Sequence, residues 1–585
     1  MNDHKNMILA VVLSAIVLIG WGFVTQTWFP TANPPVTKVE KGREVPLPQP
    51  QADPAADTSQ AIRGREIVLA ETPRVRIETP RLAGSINLRG ARIDDLVLTT
   101  QTETIVRNSP PVRLFSPAGA PGAYFGGFGW TGQGLRAPDS NSVWRTDGAR
   151  LTPEAPVTLS WDNGQGQTFQ IRLSIDDGYM FTAEQRLLNR GTGPVVAQPF
   201  ALVSRVGPSA DPDSWTVHVG PVGVFSGAAH YDSNWSDVTE AGVQRFPSQG
   251  GWLGFTDKYW LAAVIPDQGR TVEAAFRHNG STNAFQADYA GAAVVVAPGQ
   301  GLRTTSHLFA GAKEEALLST YSASLGTRLD KAIDWGWFEW FMKPIFGLLH
   351  WLFTHLGNFG VAIICLTLIV RLLLFPIAQK QFASMAAMRV VQPKMKALQE
   401  RYKDDRAKLQ EEMMKLYKEE KVNPLAGCLP IFLQIPIFYA LYKVLLISVE
   451  MRHQPFVGWI RDLSAVDPLT PVNLFGFLPF TPPHFLIIGV LPILVGVTMW
   501  LQMRLNPAPM DPVQKQVFAI MPWVLIFVMA PFAAGLQLYW VTNNLLSIAQ
   551  QKLLYMRHPQ LKEPLVGASP EPEPAAPSSG RSRKR

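Results

Sequence analysis

Acidic side chains are missing from the most apolar parts of this 585-residue chain, and cysteine is nearly missing throughout. The two cysteines, Cys365 and Cys428, fall in apolar or membrane-edge context with no partner at metal-ligand spacing. That argues against a disulfide scaffold or a zinc site and leaves each as a small buried hydrophobe. Charged residues make up 17% of the chain, against ~25% in soluble domains. No phosphate loop of the G-x-x-x-x-G-K type occurs, so no nucleotide hydrolysis is expected and no cofactor is implied. His218, His230, Asp211, Asp213 and Asp232 share one region but have no specific spacing, and read as polar loop residues.

What the chain does have is long apolar runs separated by stretches of different composition. Residues 7–29 are apolar, preceded only by His4 and Lys5 as basic groups. A cleavable signal peptide is the alternative, but its apolar region is shorter and ends in an A-x-A-like site. This run continues through GWGFVTQTWFP, with Trp21 and Trp28 at its far end as interface anchors. The expectation is an uncleaved N-terminal transmembrane anchor over 1–29. Residues 30–62, rich in Pro, Gln, Ala and charge, read as a flexible linker.

Residues 63–325 carry short alternating runs cut by Gly, Pro, Asn and Asp. In TFQIRLSI, Phe169, Ile171, Leu173 and Ile175 fall on one face and Gln170, Arg172 and Ser174 on the other. With no long helical period, this predicts an all-β sandwich large enough for its own core. In 330–344, Ile333, Trp337, Trp340 and Phe341 recur at helical spacing among Asp334, Glu339 and Lys343. That predicts an amphipathic helix in the membrane interface, with a helix packed on the β domain as the alternative. Residues 345–556 hold five further expected spans, at 346–378, 426–448, 484–503, 516–530 and 535–554. The expected fold class is a multi-domain membrane protein: a β-sandwich plus an α-helical transmembrane bundle, six spans in total.

Lysine and arginine set the orientation. The stretch 380–424 is densely basic, Arg504 and Lys515 flank a second loop, and the tail 557–585 ends RSRKR. The alternate loops hold only Arg452 and Arg461, or, in PFAAG, none. The positive-inside rule places the basic loops and both termini in the cytosol and the β domain outside. Within 380–424, Met388, Val391, Met395, Leu398 and Tyr402 repeat at three or four residues, and Leu409, Met413 and Leu416 repeat again after KDD. This reads as a helical hairpin whose basic excess suits ribosomal RNA or anionic lipid, with a plain structural cap as the alternative.

One charge stands out. Arg371 sits in TLIVRLLLFP, eight residues before Gln379, hence ~12 Å inside the expected cytosolic boundary. A charge there costs ~2.5–3.5 kcal/mol on insertion scales. None of the spans contains Asp or Glu, so an ion pair is not on offer. Three arrangements stay open: a hydrated cavity, snorkelling to lipid phosphate, and carbonyl contacts. Thr367, one turn away, and Gln434, Gln502, Gln537, Thr542, Asn543 and Asn544 are the polar residues that could line such a cavity.

TLIVRLLLFPIAQKQFASMAAMRVVQPKMKALQERYKDD, EEMMKLYKEEKVNPLAGCLPIFLQIPIFYALY, VGVTMWLQ, MPWVLIFVMAPFAAGLQLYW and FTDKYWLAAVIP closely resemble the bacterial YidC insertase family. The resemblance runs end to end and implies the Gram-negative type with a large periplasmic domain. It implies a five-helix core with a hydrophilic groove open to cytosol and lipid, in the inner membrane. The groove arginine maps to Arg371, its polar neighbour to Thr367, and an aromatic groove position to Tyr539 or Trp540, with Gln434 and Asn543 as further groove candidates. The implied function is insertion and folding of inner-membrane proteins, not enzymatic, alone or with the Sec translocon. The implied partners are nascent membrane proteins, the ribosome, the Sec translocon and membrane lipids. The rival reading is a membrane-tethered periplasmic sugar-binding or carbohydrate-active protein. A transporter is a weaker rival, because no paired inverted halves occur.

Overall fold

The computed structural model describes residues 62–211, 213, 216–402, 405–420, 429–478, 488–505 and 512–557, and two short strands at 38–40 and 43–45. The expected anchor at 1–29, most of the linker at 30–62, the tail beyond Arg557, and Cys428 lie outside the described residues. Within the linker stretch, Lys38–Glu40 pairs antiparallel with Arg43–Val45.

Alternating side chains build the next region into two packed sheets. One has nine strands, running edge to edge through Ala228–His230, Gly220–Phe225, Trp252–Thr256, Trp260–Ile265, Gly301–Ala312, Met180–Asn189, Gln167–Ile175, Val157–Asp162 and Arg145–Thr146. The other has eleven strands and is antiparallel except where Arg74–Glu78 pairs with Arg150–Leu151. Phe169, Ile171, Leu173 and Ile175 are buried between the sheets, while Gln170, Arg172 and Ser174 face out, as the alternation predicts. Phe181, Phe255, Phe276 and Phe309 fill the same core, each contributing ~1.5–3 kcal/mol by leaving water. Three helices trim the sandwich: α1 (Arg65–Ala70), α2 (Trp235–Ala241) and α3 (Glu315–Leu325).

The C-terminal half is helical: α4 (Glu339–Leu356), α5 (Phe359–Leu373), α6 (Phe375–Arg401), α7 (Arg406–Glu419), α8 (Leu429–Ile447), α9 (Val490–Leu505), α10 (Pro512–Met529) and α11 (Ala534–Arg557). Two expectations fail here. Residues 330–344 do not form a separate helix. A 3-10 turn at Leu329–Ala332 gives way to extended chain, because Asp334 Oδ1 accepts the Gly336 N–H at 2.8 Å and Gly336 adopts φ +70°. The helix starts only at Glu339. The expected span at 346–378 is also divided. Gly357 ends α4 in the left-handed region at φ +68°, and the Asn358 side chain caps α5 by accepting the Val361 N–H at 3.1 Å.

Among the described residues no helix is long and apolar enough to cross a membrane. The 15 residues of α5 and the 16 of α9 reach only ~22 and ~24 Å. The outer surface of the bundle is nonetheless apolar: Leu372, Leu373, Ile435, Ile520, Trp523, Val524, Phe527 and Leu545 are all exposed. In α6 and α7, Val391, Met395 and Leu416 form a small shared core with Leu398, Met413 and Tyr417 against it, and Lys394 pairs with Glu420 at 2.6 Å.

Two seams join the sandwich to the bundle. At the first, the Tyr231 hydroxyl donates to the Lys331 carbonyl at 2.6 Å, Lys331 pairs with Glu339, and Lys343 pairs with Glu339 at 2.7 Å and Asp330 at 3.3 Å. At the second, Arg452, just beyond α8, donates to the carbonyls of Thr102 at 2.7 Å and Glu103 at 3.2 Å, and its guanidinium lies 5.3 Å from the Trp260 ring centre.

Candidate functional site

Arg371 lies near the end of α5, where α5 packs on α11. Its Nε donates to Asn543 Oδ1 at 2.9 Å, and its Nη2 donates to Ser547 Oγ at 2.5 Å and to the Asn543 carbonyl at 3.4 Å. Asn543 and Ser547 are one turn apart on α11, so they present a single polar stripe to the guanidinium. The Ser547 hydroxyl in turn donates to the Asn543 carbonyl at 2.7 Å, which leaves its oxygen free to accept from Arg371. No carboxylate of the described residues pairs with Arg371. The side chain is half-buried, its Nε and Nη2 are met by neutral oxygens, and no described residue compensates its charge.

Tyr539 stands one turn before Asn543 on the same stripe, and its hydroxyl oxygen accepts a hydrogen bond from Gln434 Nε2 on α8. Trp540 points elsewhere: its ring meets Phe438 edge-on, with centroids 4.9 Å apart. The stripe Tyr539–Asn543–Ser547 therefore gathers Arg371 from α5 and Gln434 from α8.

Thr367 does not join them. It is buried, and its hydroxyl donates to the Ile363 carbonyl of its own helix at 2.7 Å. Its place one turn from Arg371 suggested a shared face, but back-bonding within the helix uses the hydroxyl instead. Other polar residues serve packing. Gln537 Nε2 donates to the Met529 and Phe532 carbonyls, both at 2.8 Å, and satisfies the end of α10. Asn544 donates to Thr498 Oγ1 at 3.0 Å, tying α11 to α9.

Sequence reasoning passed over two residues. Ser547 is the second acceptor of Arg371, and the spacing of four from Asn543 was its signal. Lys443, in YALYKVLLIS, is 2% exposed with Nζ 3.4 Å from Asp334 Oδ2. A lysine in an apolar run was the signal, but its partner lies in the segment before α4.

The histidines and acids of the β domain shape loops. His218 Nε2 bonds the Pro221 carbonyl at 2.8 Å, Asp213 accepts the Val219 N–H at 3.0 Å, Asp211 accepts the Lys258 N–H at 2.9 Å, and His230 Nε2 bonds Ser233 Oγ at 2.8 Å. Among the described residues no group of three His, Cys, Asp or Glu is placed to hold a metal ion.

Two known protein families match the chain. The one described as 60Kd inner membrane protein covers residues 351–561, and the YidC periplasmic domain covers residues 74–348. The membrane protein insertase YidC of Zymomonas mobilis subsp. mobilis is 48% identical over 561 residues, covering 95% of this chain and 96% of that one. The protein of the same name from Rhizobium etli is 45% identical over 581 residues, with the same coverage of 95% and 96%. An active YidC insertase crystal structure with the first transmembrane domain resolved overlaps 82% of this chain and 92% of that one, at 19% identity and a TM-score of 0.35. Identity of 48% along almost the whole of both chains is decisive: this chain belongs to the YidC membrane protein insertase family.

Proposed function

We infer that this chain is a membrane protein insertase of the inner membrane, and that the stripe on α11 is where it meets its clients. Arg371 carries the reading. Held by Asn543 and Ser547, it keeps its position without losing its net charge, because neutral acceptors satisfy hydrogen bonds and cancel no charge. A polar, acidic segment of a nascent membrane protein gains from that charge while it is partly dehydrated. Such a segment otherwise meets ~2.5–3.5 kcal/mol per charged residue at the bilayer centre. As it passes, the client's apolar segment partitions into lipid. The membrane potential adds ~2.3 kcal/mol per charge per 100 mV.

The proposed topology has six spans, with both termini and the basic loops in the cytosol and the sandwich in the periplasm. The exposed apolar side chains around the bundle support lipid contact. So do Trp337, just before α4, and Trp340, in its first turn, 83% and 70% exposed. Tyr539 is the aromatic residue proposed for the groove, since it shares the Arg371 stripe and Trp540 does not. The proposed groove set is then Arg371, Asn543, Ser547, Tyr539 and Gln434. The α6–α7 hairpin, with its basic excess, is proposed to meet the ribosome, and cooperation with the Sec translocon belongs to the same reading.

The test is insertion of one single-span client carrying neutral, acidic or basic translocated tails. Arg371→Ala should slow the acidic tail most and Arg371→Glu should slow it further. Arg371→Lys should restore most of the acidic-tail insertion by charge, although lysine cannot reproduce the guanidinium fork to both Asn543 and Ser547. An equal response of all three tails to Arg371→Ala would remove the electrostatic role.

A further inference from the structure

The outer face of the nine-stranded sheet carries a charge pattern that neither folding nor insertion requires. Strand register sets Arg145 opposite Ser160, Ser160 opposite Gln170, Gln170 opposite Arg186 and Arg186 opposite Arg303. These five residues form one row across five adjacent strands, ~19 Å long at ~4.8 Å per strand. The neighbouring row on that face sets Thr158, Arg172, Glu184 and Thr305 side by side.

Sheet stability alone argues against this arrangement. Arg186 and Arg303 are like charges directly opposed, which is a destabilising pairing. One carboxylate, Glu184, serves three guanidiniums: Arg303 at 2.9 Å, Arg186 at 3.0 Å and Arg172 at 4.0 Å. The Nε of Arg186 is sealed from water and has no acceptor. Arg145 makes no ion pair with any described residue. Its neighbour Asp147 is occupied by the Thr158 N–H at 2.6 Å. Four guanidiniums against the two carboxylates of Asp147 and Glu184 leave two positive charges in excess.

Arg145, Arg172 and Arg186 line an open cavity of about 490 Å³ together with Thr146, Asp147, Thr158, Ser160 and Gln170. That volume lies in the ~300–1,000 Å³ range of small-ligand sites. Planar guanidiniums match phosphate oxygens in pairs, and hydroxyl and amide groups beside them suit a polyol. We propose that this cavity binds a phosphate monoester of a small polyol or sugar, the dianion balanced by the two excess positive charges.

The probe is sn-glycerol 3-phosphate, titrated calorimetrically into the full chain in nanodiscs of zwitterionic lipid. Glycerol is the uncharged control, and dihexanoyl phosphatidylglycerol below its micelle concentration presents a lipid phosphodiester. The expected result is saturable one-to-one binding of the monoester, weaker binding of the diester, and none of glycerol. Arg145→Gln and Arg186→Gln should each weaken monoester binding by about tenfold or more, the worth of a charge-assisted hydrogen bond. Arg145→Lys should recover part of the loss, and Arg113→Gln, on the eleven-stranded sheet, should change nothing. No saturable binding of the monoester, equal affinity for the diester, or unchanged affinity in both glutamine variants would each overturn the assignment. Near-ultraviolet circular dichroism identifies any variant that has lost its fold, and Arg145→Lys then carries the comparison.

Discussion

Removing the Asp334 charge alone from the Asp334–Lys443 pair should destabilise the first seam far more than removing both charges. Lys443 is 2% exposed and Asp334 27%, with Nζ and Oδ2 3.4 Å apart. Asp334→Asn keeps the turn, because Oδ1 still accepts the Gly336 N–H, and deletes only the counter-charge. Stranding one member of a buried pair costs ~3–5 kcal/mol, and the amide oxygen that remains near Nζ places the expected loss at ~3 kcal/mol. Lys443→Met is expected to cost less, about 1 kcal/mol, because the more exposed carboxylate can rehydrate. The double variant should return to within about 1 kcal/mol of the parent, since an apolar replacement of a buried pair is often neutral. The coupling between the two sites is then ~3–4 kcal/mol. Gly336→Ala tests the same spot sterically: φ is +70°, and a Cβ would lie 3.2 Å from Lys443 Nζ. The assay is unfolding by dodecyl sulfate titration in mixed micelles, followed by tryptophan fluorescence. A loss below about 1 kcal/mol for Asp334→Asn, or strict additivity in the double variant, would refute the reasoning.

Three further outcomes are expected. Arg452→Ala removes two carbonyl contacts and the Trp260 stacking, and should lower stability by ~1–3 kcal/mol while opening the 453–478 loop to protease. Met395→Ala should cost ~2–5 kcal/mol within the α6–α7 hairpin, whose shared core is small, and should abolish client insertion while the chain stays in the membrane; normal insertion would remove the hairpin from the mechanism. Burial holds the Glu450 carboxyl above the usual range, against hydrogen bonds from the Ser448 hydroxyl and the Glu315 N–H, with Glu314 adding to the upward shift. Its contribution to folding is therefore full below ~4.3 and is lost as pH rises through the higher folded value, so Glu450→Gln should flatten the stability profile between those two points.

The sandwich was legible because a period of two leaves little choice. A strand with Phe169, Ile171, Leu173 and Ile175 on one face has one side to bury. The helical half was legible in composition and less so in its breaks. The aromatic spacing through 333–341 fits a helix, yet a single Asp334–Gly336 turn undoes it, and periodicity is blind to one residue with positive φ. Likewise the apolar run through 346–378 hides Gly357 and Asn358, whose stop and start signals read as ordinary span residues until their backbone is seen. The groove candidates divide on the same principle. Tyr539 meets Gln434, and Asn543 meets Arg371, because each pair projects from facing helices, whereas Thr367 has an acceptor nearer to hand in its own helix.

Two cations in apolar helices looked alike in sequence, and the structure gives them opposite electrostatic situations. Lys443 lies at the sandwich end of the bundle, one turn before α8 closes at Ile447, where a carboxylate from the segment before α4 can reach it. Arg371 lies twelve residues along α5 from Phe359, ~18 Å further from that end. No described acid reaches so far, and the amide, a carbonyl and the hydroxyl of α11 answer it. The difference follows from chain connectivity: counter-charges come from loops, so depth within the bundle decides whether a cation is neutralised or only hydrogen-bonded. Neutralisation makes Lys443 a structural strut that a methionine–asparagine pair can replace. Hydrogen bonding alone leaves Arg371 the fixed charge that the proposed function assigns to acidic client segments. The two sites should accordingly separate in one experiment, with loss at Lys443 read in stability regardless of client, and loss at Arg371 read in insertion and graded by the acidity of the client's tail.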